Sequence, residues 1–156
     1  MTAAARTLSP AHSSEVAGPR PATAVFEPAE AEWEAAARCG EDTLYAGSIV
    51  ADDVAWFSRN SGFSSHRVAT KSANACGVYD MSGNVWEWTG DWYDSAYYET
   101  SPDSDPEGPI SGVGRSGRGG CWDYMAVSIR VPFRFGRSPT LHGSYLGFRL
   151  ARTGGI

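Results

Sequence analysis

Residues 77–93 read GVYDMSGNVWEWTGDWY. The Ser82-Gly83-Asn84 triplet is a turn signal between two short apolar runs, 77–81 and 85–88. Trp86 and Trp88 stand two residues apart, so on a strand they share one face and Glu87 points to the other. Burial of an indole removes a large apolar area from water, which makes the pair a core anchor; a sugar- or base-stacking surface is the alternative. Two further blocks follow in order: RGGCW at 118–122 and GFRLAR at 147–152.

The chain has 156 residues, which suits one domain with a sizeable core. Its 18 glycines and 9 prolines favour turns over long helices. The net charge of -5 argues against a general nucleic-acid binder or a protein held on anionic membranes, both of which present a basic face. No apolar run approaches a membrane span, and the first residues lack the apolar stretch of a signal peptide. Three cysteines, Cys39, Cys76 and Cys121, do not make a disulfide framework. The reading is a cytoplasmic protein with three reduced, buried thiols.

Residues 1–25 are rich in Ala, Ser, Pro and Thr without periodicity, and read as a disordered leader to a domain at 26–156. A helix is expected over 28–38. Pro28 suits its first turn, and Glu30, Glu32 and Glu34 complement its positive end. Ala29, Trp33, Ala36 and Ala37 form an apolar stripe, and Gly40 can stop the helix in the left-handed conformation. Strands are expected at 77–81, 85–88, 119–122, 128–135 and 146–151. In the fourth, Ile129, Val131, Phe133 and Phe135 alternate with Arg130, Pro132 and Arg134, and Pro132 marks an edge or bulge. Residues 100–117 form a Pro/Gly/Asp/Ser loop.

No G-x-S-x-G elbow occurs, and the glycines of 112–120 lack the lysine and helix pattern of a phosphate loop. The histidines are His12, His66 and His142, with no metal spacing among them. Arg118, Arg130, Arg134, Arg137 and Arg149 concentrate in the last third. They could form an anion site; the reading preferred is that they pair with acids such as Asp91, Asp94 and Glu87 and pin long loops.

Taken together, AEWEAAARCG at 31–40, the 77–93 stretch, RGGCW and GFRLAR resemble the formylglycine-generating-enzyme, or sulfatase-modifying-factor, family. The resemblance covers residues 29–152. It implies an α+β, C-type-lectin-like fold with one or two helices, short antiparallel strands and long loops, shortened at its N-terminus. It also implies a structural calcium at the signature turn, held by the side chains of Glu87 and Asp80 and by carbonyls of Asp80, Gly83 and Val85. Oxygen-rich turns between two acids suit that ion. The family's oxidases hold copper(I) through two cysteines after the RGG block. Those positions are here Tyr124 and Ile129, so no copper is expected.

Some family members are the variable proteins of diversity-generating retroelements, diversified between the second and third blocks. The residues in that window are of types this mechanism permits, with Met125 outside it. The expected function is therefore a non-catalytic ligand-binding or protein-interaction module, its partner a protein or a small molecule. Its binding face would comprise Asp123, Tyr124, Phe135, Leu141, His142 and Tyr145, framed by Trp86, Trp88, Trp122 and Phe148. The alternatives are a copper-dependent oxidase of protein cysteines, disfavoured by the missing thiols, and an inactive fragment.

Overall fold

The computed structural model describes residues 24–153. Nearly all of the expected leader lies outside the described residues. Its last two residues do not: Ala24 donates its N–H to Thr153 Oγ1, and Val25 opens strand β1 (Val25–Phe26), which pairs antiparallel with β6 (Ala151–Arg152).

Helix α1 (Glu30–Arg38) follows. Ala29 has no capping oxygen, so the free N–H groups are met from elsewhere: Glu32 Oε2 accepts from Ala29 at 2.8 Å, and Asp91 Oδ2 accepts from Glu30 at 2.6 Å. The start is thus two residues later than the sequence suggests. The helix ends at Cys39, with φ 48°, one residue before Gly40, which is left-handed as expected at φ 77°. A one-turn helix α2 (Ala51–Val54) comes next.

The main sheet runs β4-β3-β2-β5, with β2 at Trp86–Trp92, β3 at Arg115–Arg118, β4 at Phe135–Arg137 and β5 at Leu146–Phe148. Four expectations change. The strands are not all antiparallel: β5 runs parallel to β2, pairing Glu87 with Gly147. Residues 77–81 are not a strand, because Asn74 Oδ1 accepts the N–H groups of Cys76 and Val78 and Asp80 takes a positive φ. The third strand ends before 119–122, because Gly120 turns at φ 74° against Ser128 and Ile129, where a Cβ would find no room. Residues 128–135 are likewise broken, into a 3-10 turn (Ala126–Ile129) and β4. The alternation there still marks the inside: Ile129, Val131 and Phe135 are buried, while Arg130 and Pro132 are exposed.

Three apolar clusters fill the interior. Trp33, Ala37, Ala46, Met81 and Val131 lie under α1; Tyr45, Val54, Phe57 and Ile129 lie under α2. Trp86, Cys121 and Phe135 lie on the opposite face of the sheet from Glu87, as the two-residue spacing predicts.

The thiols are not all reduced. Cys39 and Cys76 form a disulfide with Cα atoms 5.7 Å apart. The pairing is 37 residues long in sequence and is created by the 74–78 turn folding onto the end of α1, where Asn74 Nδ2 donates to the carbonyls of Ala36 and Ala37.

Candidate functional site

The turn expected to hold calcium is closed by a side chain. Asp80 sits at φ 58° and its Oδ2 accepts the Ala69 N–H at 2.7 Å. Gly83, at φ 77°, packs on the Trp56 backbone where a Cβ would collide, and Val85 is half-buried beside Gly147. Glu87 Oε2 accepts from Trp33 Nε1 at 2.7 Å and from Arg149 Nε at 2.6 Å; its Oε1 accepts from Arg149 at 2.7 Å. The same guanidinium donates to the Tyr79 carbonyl at 3.1 Å and lies 3.5 Å from that of Asp80. The Glu87 carboxylate, one of the expected ligands, thus already holds a cation. Calcium needs six to eight oxygens. Among the described residues, no three His, Cys, Asp or Glu side chains are placed to share a metal. As arranged, the Glu87 carboxylate is taken by Arg149 and the Asp80 carboxylate by the Ala69 N–H, so calcium at Asp80, Gly83, Val85 and Glu87 would have to displace the Arg149 guanidinium.

Behind Glu87 lies an ion-pair network. Arg118 is fully buried and pairs with Glu34 and Glu30; Arg134 forks onto both Glu30 oxygens at 2.7 and 2.8 Å and donates to the Asp94 carbonyl. Charge pairs at such burial hold only when geometry and extra hydrogen bonds offset desolvation. The expected structural role of Arg118, Arg134 and Arg149 is met, with Glu30 and Glu34 as partners the sequence did not single out.

On the other face, Cys121 is the remaining free thiol. It is buried against Trp86 and Phe135, and burial pushes its pKa up, away from the reactive thiolate. The other two sulfurs are joined to each other at the end of α1.

The six residues expected as a binding face divide. Asp123 and His142 are exposed, and Tyr124 is 38% exposed with its ring edge-on to Trp86 at 5.5 Å. Leu141 and Tyr145 are half-buried against the Trp86 cluster. Phe135 is not on the face. It stacks on Trp86 at 4.6 Å and is core, because β4 turns it under the sheet beside Gly117. Of the frame, Trp86 is buried and Trp88 and Trp122 pack against its cluster, but Phe148 is 47% exposed and frames nothing there. Sequence reasoning missed Met125 and Val127, exposed beside Tyr124, and a shallow dent of about 200 Å³ lined by Val127, Arg130, Pro132 and Phe133. The cue was available: apolar residues directly after the RGGCW block, in a segment with no strand period.

Comparison with known proteins accounts for this layout. Residues 20–154 match the sulfatase-modifying factor enzyme 1-like domain family. The chain is 36% identical over 143 residues to the formylglycine-generating enzyme of Streptomyces coelicolor, covering 80% of this chain and 45% of that enzyme. It is 40% identical over 132 residues to the serine/threonine-protein kinase pkn1 of Chlamydia caviae, covering 80% of this chain and 20% of the kinase. Among solved structures, Treponema denticola variable protein 1 superposes with a TM-score of 0.79 at 41% identity, over 83% of this chain and 48% of that one. PvdO from Pseudomonas aeruginosa superposes with a TM-score of 0.68 at 28% identity, over 82% and 52%. The chain therefore spans about half the length of these relatives or less. On the strength of the matched residues and the shared fold, it belongs to the sulfatase-modifying factor enzyme 1-like domain family.

Proposed function

We propose that this domain is a non-catalytic ligand-binding or protein-interaction module, recognising its partner with the surface around Tyr124. The observation that carries this reading is the state of the sulfurs. Tyr124 and Ile129 stand where the family's oxidases place thiols, Cys121 is buried with a raised pKa, and Cys39 and Cys76 are bonded to each other. A soft copper(I) ion would find one inert sulfur here. Tyr124 is exposed with its ring edge-on to buried Trp86, and Asp123, Met125, Val127 and His142 are exposed as well. Such a mix of aromatic, apolar and polar side chains on loops suits recognition. The likeness to a variable protein and to a segment of a kinase supports a binding role over an oxidase.

The test is incubation of a sulfatase-type Cys-x-Pro-x-Arg peptide with the protein, copper(I) and oxygen, read by mass spectrometry. An unchanged peptide is expected. Formylglycine that disappears in Cys121→Ser overturns the reading. Calcium at 80–87 would have to displace Arg149 from Glu87, so thermal melts in calcium and in chelator are expected to coincide.

A further inference from the structure

The far end of the main sheet from Trp86 carries a second surface. In the β3–β4 register Arg115 stands directly opposite Arg137, and in the β2–β3 register it stands opposite Trp92. Cross-strand partners share a face, so the three side chains form one row. Like charges in direct opposition are unfavourable. No ion pair relieves them: among the described residues neither guanidinium is within salt-bridge distance of a carboxylate, while Arg38, Arg59, Arg118, Arg134 and Arg149 all are. Buried Asp91 feels the charge of Arg115 without reaching ion-pair distance. Each guanidinium instead lies over an aromatic ring, Arg115 at 3.8 Å from Trp92 and Arg137 at 5.1 Å from Phe135. Each spends one N–H group on a carbonyl, of Gly90 and Gly136 respectively, and keeps most of its donors.

An apolar group flanks the row. Val113 is 98% exposed. It is fixed there by its neighbours: Gly112 rests on Trp92, and Gly114 lies against the Arg137 carbonyl and accepts the Tyr93 N–H at 2.8 Å. Arginine and tryptophan are enriched at recognition surfaces, and the protruding valine adds apolar area beside them. The row is also an island of positive charge on a chain of net charge -5, which points to a local acidic group and not to a polyanion.

We propose that Trp92, Val113, Arg115 and Arg137 form a docking patch for an acidic segment of a partner protein. One carboxylate bridges the two guanidinia, and an adjoining apolar side chain rests on Val113 and Trp92. The patch is separate from the Tyr124 surface and does not depend on it. The probe is a fluorescein-labelled, glutamate-rich peptide with one central leucine, titrated with the full chain by fluorescence anisotropy. Saturable binding that weakens with added salt is expected. Binding should fall at least about ten-fold in Arg115→Gln/Arg137→Gln, and likewise in Val113→Glu. Since Arg115 also packs on Trp92, Val113→Glu and Arg137→Gln alone separate recognition from folding; their melting temperatures should stay within ~2 °C of wild type. Tyr124→Ala should leave this binding unchanged. No binding, equal binding by these variants, equal binding of a glutamine version of the peptide, or tighter binding of polyuridylate or inorganic phosphate overturns the proposal.

Discussion

Strand β2 separates two regions built on opposite principles. On the side of Glu87, Thr89 and Asp91, buried polar groups are tied into α1 by charged hydrogen bonds: Glu87 to Trp33 and Arg149, Asp91 to the Glu30 N–H, and Arg118 to Glu34 and Glu30. On the side of Trp86, the core is aromatic, and its margin of Tyr124, Leu141 and Tyr145 is partly or wholly exposed. A buried charge network tolerates little change, because losing one partner strands the other. An apolar anchor with an exposed margin tolerates much, because exposed side chains contribute little to folding. Substitution is therefore expected to cost most stability in the first region and least at the exposed margin of the second.

The sharpest way to break this contrast is Arg118→Ala. It leaves Glu30 with Arg134 only and Glu34 with Arg38 only, both beside a cavity, and should cost about 3–5 kcal/mol in urea denaturation. A loss no larger than that of an exposed substitution would mean that the network is not what holds α1 to the sheet. Next in size is the disulfide. Cys39→Ser with Cys76→Ser should cost about 2–4 kcal/mol for a bridge closing 37 residues, checked by comparing wild type with and without reductant.

Asp91 provides a pH test of the same polar layer. Burial, and then the neighbouring Glu30 and Glu32, push its pKa from 3.8 up to about 6, against the lowering effects of the Glu30 N–H and Arg115. The folded state therefore holds a proton that the unfolded chain has released. The contribution from Asp91 is full below about pH 4 and is lost as pH rises through about 6. Asp91→Asn keeps an acceptor for the Glu30 N–H. Melts of the variant and wild type should diverge across that window, with the variant relatively more stable at neutral pH. Parallel curves would show that the carboxyl titrates as if exposed.

The smallest effect belongs to the other face. Tyr124→Ala loses an edge-on contact with Trp86 and should cost about 0.5–1 kcal/mol. If it costs as much as Arg118→Ala, the two faces are not different in kind.

Much of this was legible locally. The spacing of Trp86, Glu87 and Trp88 placed the tryptophans and the carboxylate on opposite faces, and the acid-rich start and apolar stripe marked α1. Alternation through Ile129, Val131 and Phe135 marked an inside even where no strand forms, because burial needs only that side chains alternate. Other features had no local signal. Arg149 reaches Glu87 across 62 residues, and Arg134 reaches Glu30 across 104. The Cys39–Cys76 bridge depends on the Asn74 turn meeting the end of α1, and the Arg115–Arg137 opposition depends on strand register. The sequence by itself determined the family, the helix and which faces are apolar, since these follow from residue types a few positions apart. Only the tertiary structure decided which carboxylate meets which guanidinium, which thiol is free and which aromatic side chains are left exposed. Those outcomes are set by distances between segments that the chain's local chemistry does not encode.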